Sequence, residues 1–195
     1  MKTNAITTLA LTILFTMQAM AQEKEKRFGF ELSGGASFAT TELNGASLNP
    51  GLGFEGIFHY QFMPHTGIYG GWGWNKLGAD ESFAGDDVCF EETGYVLGVQ
   101  YKHAFGNSPV SYFLRAGGLY NHIEIENSDG DIIADSGHGP GWQLAGGVDV
   151  KLGNNWSLTP GLKFNSLSRD IDLEGVTSSL DMRYLSVRVG ILKRF

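Results

Sequence analysis

The chain has 195 residues, with 21 acidic side chains against 14 basic ones and a formal charge of −7, a balance that argues against a nucleic-acid partner. Its one cysteine, Cys89, rules out an intramolecular disulfide framework. The length suits one domain with a sizeable buried surface.

The chain opens MKTNAITTLALTILFTMQAMAQ, which sets Lys2 ahead of an apolar stretch from Ala5 to Phe15 and the small-residue site Ala19-Met20-Ala21. This is the pattern of a secretory signal peptide over residues 1–21. The stretch is shorter than the ~20 apolar residues of a membrane-spanning helix and is broken by threonines. Cleavage after Ala21 removes Lys2, takes the charge from −7 to −8 and leaves no lipid-attachment cysteine at the new terminus, Gln22. Residues 22–195 then form one domain, and no apolar run within it is long enough for a transmembrane helix.

That domain carries eight segments in which apolar and polar residues alternate with a strand's period of two, each somewhat longer than the ~9–11 residues of a tilted membrane strand. In the first, Phe28, Phe30, Leu32, Ala36 and Phe38 face away from Glu31 and Ser33. The second opposes Leu52, Phe54, Phe58, Tyr60 and Phe62 to Glu55, His59 and Gln61, with Ile57 as an exception. Ile68, Trp72 and Trp74 mark the third, and Tyr95, Leu97, Val99 and Tyr101 the fourth, opposite Gln100 and Lys102. The fifth sets Val110, Tyr112, Leu114 and Tyr120 against Ser111, Phe113, Arg115 and Gly117; a bulge at Gly117-Gly118 would decide whether His122 or Ile123 points outward. Trp142, Leu144, Val148 and Val150 oppose Gln143, Asp149 and Lys151 in the sixth, and Trp156, Leu158, Leu162 and Phe164 oppose Lys163 and Asn165 in the seventh. The eighth, YLSVRVGILKRF, alternates Leu185, Val187, Val189 and Ile191 with Ser186, Arg188 and Gly190, and ends on Phe195.

Short turns at 63–66, 105–109 and 153–155 alternate with long polar loops at about 40–50, 79–92, 126–140 and 169–180. The fold class is therefore all-β, an eight-stranded antiparallel up-and-down barrel. A soluble lipocalin-like barrel would keep its apolar face inside. The aromatics decide for a transmembrane barrel. Phe28, Phe62, Tyr112, Trp156 and Phe195 lie toward the short turns, and Phe38, Trp72, Trp74, Tyr95, Tyr120, Trp142 and Tyr184 toward the long loops. Two such rings bounding an aliphatic band match the two interfaces of a bilayer. Glu31, Glu55, Lys102, Arg115, Asp149, Lys163 and Arg188 then form an interior charge network.

A signal peptide, eight such strands and a terminal aromatic together resemble the small eight-stranded outer-membrane barrels of the OmpX and OmpA type, over nearly all of residues 22–195. The resemblance implies an integral protein of a Gram-negative outer membrane, with the membrane lipids and the barrel-assembly machinery as partners. Phe195 would complete the signal read by that machinery. Lys193 departs from the apolar face and is expected to snorkel. Unlike OmpA, nothing in the sequence follows the barrel.

Eight strands enclose an interior just wide enough for their own side chains, so a small porin ranks last. Function then falls to the loops, which hold 14 of the 21 acidic residues, from Glu42 through the 79–92 segment to Glu174, and would meet a surface ligand. No cofactor or metal is assigned, since clustered carboxylates in solvated loops are commonplace and the stretch DGDIIADSGHG (129–139) lacks EF-hand spacing. The rival reading is a lipid A-modifying acyl hydrolase or transferase, with Asp135, Ser136, His138 and His122 as the groups to inspect. We read the chain as a non-enzymatic barrel of structural or surface-interaction function.

Overall fold

A computed structural model describes residues 26–173 and 175–195. The proposed signal peptide lies outside the described residues. Strands β1 (Phe28–Ala39), β2 (Gly51–Gln61), β3 (Thr66–Ser82), β4 (Gly85–Ala104) and β5 (Val110–Glu126) are followed by a short β6 (Ile132–Asp135), then β7 (Gly139–Gly153), β8 (Trp156–Leu173) and β9 (Val176–Arg194). Each pairs antiparallel with its sequence neighbours except that β5 bonds directly to β7, and β1 pairs with β9 to close a ring of eight. The short β6 sits outside the ring, on the end of β5.

Closure leaves no sheet edge within the ring, so the backbone groups are satisfied by neighbouring strands. Pro160, which has no N–H, interrupts the β7–β8 ladder between the pairs Gly147↔Gly161 and Val150↔Leu158, yet the register is the same on both sides. No bulge occurs at Gly117-Gly118: β5 keeps one register with β4 from Ser111 to Glu126. Ile123 accordingly points inward and is buried, while His122 points outward.

Two of the expected long loops are hairpins. Strands β3 and β4 run on together until only Phe83 and Ala84 connect them, and β8 pairs with β9 as far as Leu173↔Val176. These strands have 17 to 20 residues, against 11 and 12 for β2 and β1. The first loop also has structure. Asn44 and Gly45 both take positive φ, 49° and 82°, and reverse the chain so that Leu43 bridges Ala46. This is the Asn-Gly geometry of a tight hairpin turn.

Side chains alternate strictly between inside and outside, but the polarity of the two faces changes along the barrel. Over the half nearer the short turns the outside is apolar, with Leu32, Leu97, Leu114, Leu144, Val187 and Val189 exposed, and the inside is polar. Over the half formed by the long hairpins the inside is apolar. Leu77, Phe90, Ile123, Ile125, Ile171, Leu180 and Met182 pack there around Leu43 and Ala46 from the first loop. Lys76, Glu91, Glu124, Asp170, Asp172 and Asp181 occupy the outside at the same level. Tyr184 belongs to this interior with no exposed surface and is not part of an outer aromatic ring. Its parity with Ser186 and Arg188 requires the inward direction.

The barrel is narrow enough that glycines make room for aromatic rings. A Cβ at Gly98 would stand 2.8 Å from Tyr69 Cε1, and one at Gly147 would stand 2.8 Å from Phe113 Cζ. Tyr69 and Phe113 thus lie along the inner wall, each over the glycine that is its register partner on the adjacent strand.

Candidate functional site

Three ionic layers fill the apolar-walled half. Nearest the short turns, Asp149 accepts from Lys102 at 2.7 Å and from Arg194, whose other nitrogen donates to Ser157. In the next layer Glu31 takes the Arg115 guanidinium, the Thr159 hydroxyl at 2.9 Å and, at 3.0 Å, His59 Nε2. Arg115 also donates to Gln100 and lies over the Phe113 ring at 4.4 Å. In the third, Lys163 donates to Glu55 at 2.6 Å. Glu31, Glu55, Arg115, Asp149, Lys163 and Arg188 are all buried, and Lys102 is half-buried. Among the described residues no carboxylate forms an ion pair with Arg188; it donates to Asn75 Oδ1.

Above these layers lies a cluster that alternation alone did not single out. Tyr184 donates to Glu92 at 2.7 Å and accepts from Asn75 at 2.8 Å and Asn165 at 2.7 Å, while Asn75 and Asn121 also donate to Glu92. The sequence pattern puts Glu92 among the loop acids, yet it is buried inside the ring. Its position is readable from parity, since it is two residues from Gly94 and four from Val96 on the inner face. A cavity of about 10 Å3 between Glu55, Asn75, Glu92, Asn121 and Lys163 is at the limit of one water molecule. At the short-turn end the lumen widens into a mouth of about 490 Å3, lined by Lys26, Arg27, Lys102, Lys151 and Arg194.

On the opposite rim, Asp80, Glu81, Asp86, Asp87, Asp129, Asp131, Asp170 and Asp172 are exposed. Glu91 and Glu126 instead share the Lys76 ammonium, which those hydrogen bonds, Glu126 first, push above its ordinary pKa. Burial raises the Glu91 carboxyl, but Lys76 and Trp74 outweigh it and hold the group below its ordinary value. Of the residues named for acyl chemistry, His122 lies 3.1 Å from Asp135, and its ring stacks on His138 with centroids 4.4 Å apart. The Ser136 hydroxyl accepts from the Ile123 N–H and donates to the Gly137 carbonyl, so its bonds are to main-chain groups and not to a histidine.

Outward aromatics cluster at both limits of the apolar band. Phe28 packs against Tyr60 and Phe195 at one limit, and Phe54 against Trp72 and Trp74 at the other. The Phe195 N–H donates to the Phe28 carbonyl, so the last residue is tied to the first strand. Lys193 reaches over the Trp156 ring at 4.6 Å and donates to the Asn154 carbonyl.

Residues 7–192 match the outer membrane protein beta-barrel domain. The chain belongs to that family. It is an integral outer-membrane β-barrel, and its short turns are therefore periplasmic and its hairpins extracellular. Solved outer-membrane barrels share the fold. Neisserial surface protein A (NspA) is 15% identical, with a TM-score of 0.61 over 86% of this chain and 96% of that one. OprG from Pseudomonas aeruginosa is 14% identical, with a TM-score of 0.54 over 86% and 97%. The outer membrane protein W of E. coli is 16% identical, with 0.54 over 89% and 100%. No curated protein matches the chain by sequence.

Proposed function

We propose that this outer-membrane barrel is a closed scaffold of structural and surface-interaction function, which offers its acidic extracellular hairpins to a cationic or hydrogen-bonding partner. The observation that carries this reading is the filled lumen. The paired charges of the membrane level and the apolar packing around Leu43 lie one above the other along the same axis. A solute path would have to break both. The hairpins, by contrast, are stiffened by strand pairing and by their own apolar interior, and their exposed carboxylates project outward. Rigid elements with polar exteriors suit recognition, because little order is lost on binding.

The test uses the protein reconstituted in planar bilayers and in vesicles. We expect no stepwise conductance, and binding of cationic surface molecules that weakens when Asp80, Glu81, Asp86 and Asp87 are replaced by their amides. Steady single-channel conductance would overturn the scaffold reading in favour of a small porin. A reproducible change of one acyl chain in lipid A mass, seen only with the protein present, would replace it with the enzyme reading. The same framework gives Phe195 a role in assembly. Its deletion should lower insertion in cells more than refolding into detergent, and equal losses in both would reduce it to an interfacial anchor.

A further inference from the structure

We propose that His122, Glu124 and Asp135 form an extracellular site for a divalent transition metal of the zinc class, which clips the 127–138 segment to strand β5. This goes beyond the scaffold reading and does not depend on it.

His122 and Glu124 lie two apart on β5 and so share its outer face; Asp135 is the register partner of Glu124 on β6. One ligand atom from each lies within 4.8 Å of the others. His122 Nδ1 is 3.1 Å from Asp135 Oδ1 and 3.7 Å from Glu124 Oε1. A four-coordinate ion with bonds of roughly 2.0–2.2 Å separates its ligands by about 3.3–3.6 Å, so small side-chain adjustments suffice to seat it. An imidazole with two carboxylates suits zinc and its neighbours better than calcium or magnesium, which favour all-oxygen sets.

The charge balance around the site points the same way. The nearby carboxylates Glu91 and Glu126 share the Lys76 ammonium, whereas among the described residues no lysine or arginine pairs with Glu124 or Asp135. A dication would neutralise both. The imidazole is also held in place: the His122 ring stacks on His138, and His138 packs against Tyr120 and Tyr95. The Gly137 N–H donates to Asp135 Oδ1 at 2.8 Å and orients that carboxylate. Three protein ligands leave a coordination position open to water or to an external donor.

The experiment titrates tag-free barrel, refolded in detergent, with Zn²⁺ in a calorimeter, and follows protease cleavage within 127–138 in parallel. We expect one saturable site that is lost in His122→Gln and in Asp135→Asn, while a His65→Gln/His103→Gln variant keeps it. The latter pair lies at the periplasmic rim with ring centroids 4.7 Å apart and is the obvious competing site. At a Zn²⁺ concentration 100-fold above Kd, cleavage limited by local opening should slow about 100-fold. Retained heat-modifiable migration in gels shows that each variant is folded. Absence of saturable binding, binding undiminished in His122→Gln, or binding lost only in the His65/His103 variant would each overturn the proposal.

Discussion

The membrane-level half of the barrel and its extracellular crown are built from the same strands with opposite solutions. Within the membrane Leu97 and Val99 meet lipid while Glu31 and Arg115 pair inside. A few residues further along, Phe90 and Ile125 are inside, and Glu91 and Glu124 meet water. Backbone pairing and side-chain parity pass unbroken from one half to the other. What changes is the external solvent, and with it which face is worth burying. In lipid the hydrophobic effect gives no drive to fill the lumen, so ion pairs and hydrogen bonds specify it. In water the lumen of the crown becomes an ordinary apolar core.

The comparison predicts different failures in the two halves. The largest effect should come from Arg115→Met, which leaves Glu31 buried without its guanidinium and should cost about 3–5 kcal/mol in global unfolding by denaturant. The double variant Glu31→Gln/Arg115→Met should recover much of this. Full additivity in that cycle would show that the two groups do not act as a pair.

Leu43→Ala comes next. It empties the centre of the crown and should cost about 2–4 kcal/mol, but locally. Hydrogen exchange should quicken at Phe90, Ile125 and Met182, while the membrane-level amides and the heat-modifiable gel shift stay unchanged. A uniform loss of protection along whole strands would show that the two halves are one cooperative unit.

The smallest effect is one of pH and belongs to the crown surface. Glu91 has a lowered pKa in the folded barrel, so its contribution is present above its unfolded value and is lost as pH falls through the folded one. Lys76 has a raised pKa, and its contribution persists throughout that acid range, to be lost only as pH rises through the raised value. Exchange at the tip of the β3–β4 hairpin should therefore be level, after correction for intrinsic rates, from about pH 8 to 5 and quicken below about pH 4. Lys76→Met should weaken that acid dependence, leaving the part that the Trp74 hydrogen bond supplies.

Much of the architecture is legible in the sequence because a period of two survives every strand. The ring of eight, the inward Glu31, Glu55 and Arg115, and the outward Trp72 and Tyr95 all follow from it. The hairpin extensions do not, since polar outer residues such as Asp80, Asp86, Asp170 and Asp172 look like solvated loop when an apolar outside is taken as the mark of a strand. Leu77, Ala79, Val88 and Phe90 continue the inner parity and mark the strands once polarity is allowed to invert. Tyr184 shows the complementary case, an aromatic ring whose parity with Ser186 and Arg188 turns it inward although ring type alone suggests an interface. The Leu43–Ala46 turn had a local mark in Asn44-Gly45 flanked by apolar residues. The approach of Asp135 to His122 depends on the long-range pairing of β6 with β5, which no local pattern encodes.

The inversion of polarity also acts as a depth gauge. Pushing the barrel inward would carry Lys76, Glu91, Glu124 and Glu126 from water toward hydrocarbon, and lifting it would expose the leucines and valines of the belt. Each residue along a strand spans about 3.3 Å, so even a shift of a few ångströms moves several charges or several aliphatic side chains across the interface. The penalty rises in both directions from one setting. In a bilayer thicker or thinner than its belt, the lipid should therefore stretch or compress around this barrel, and the barrel should keep its height.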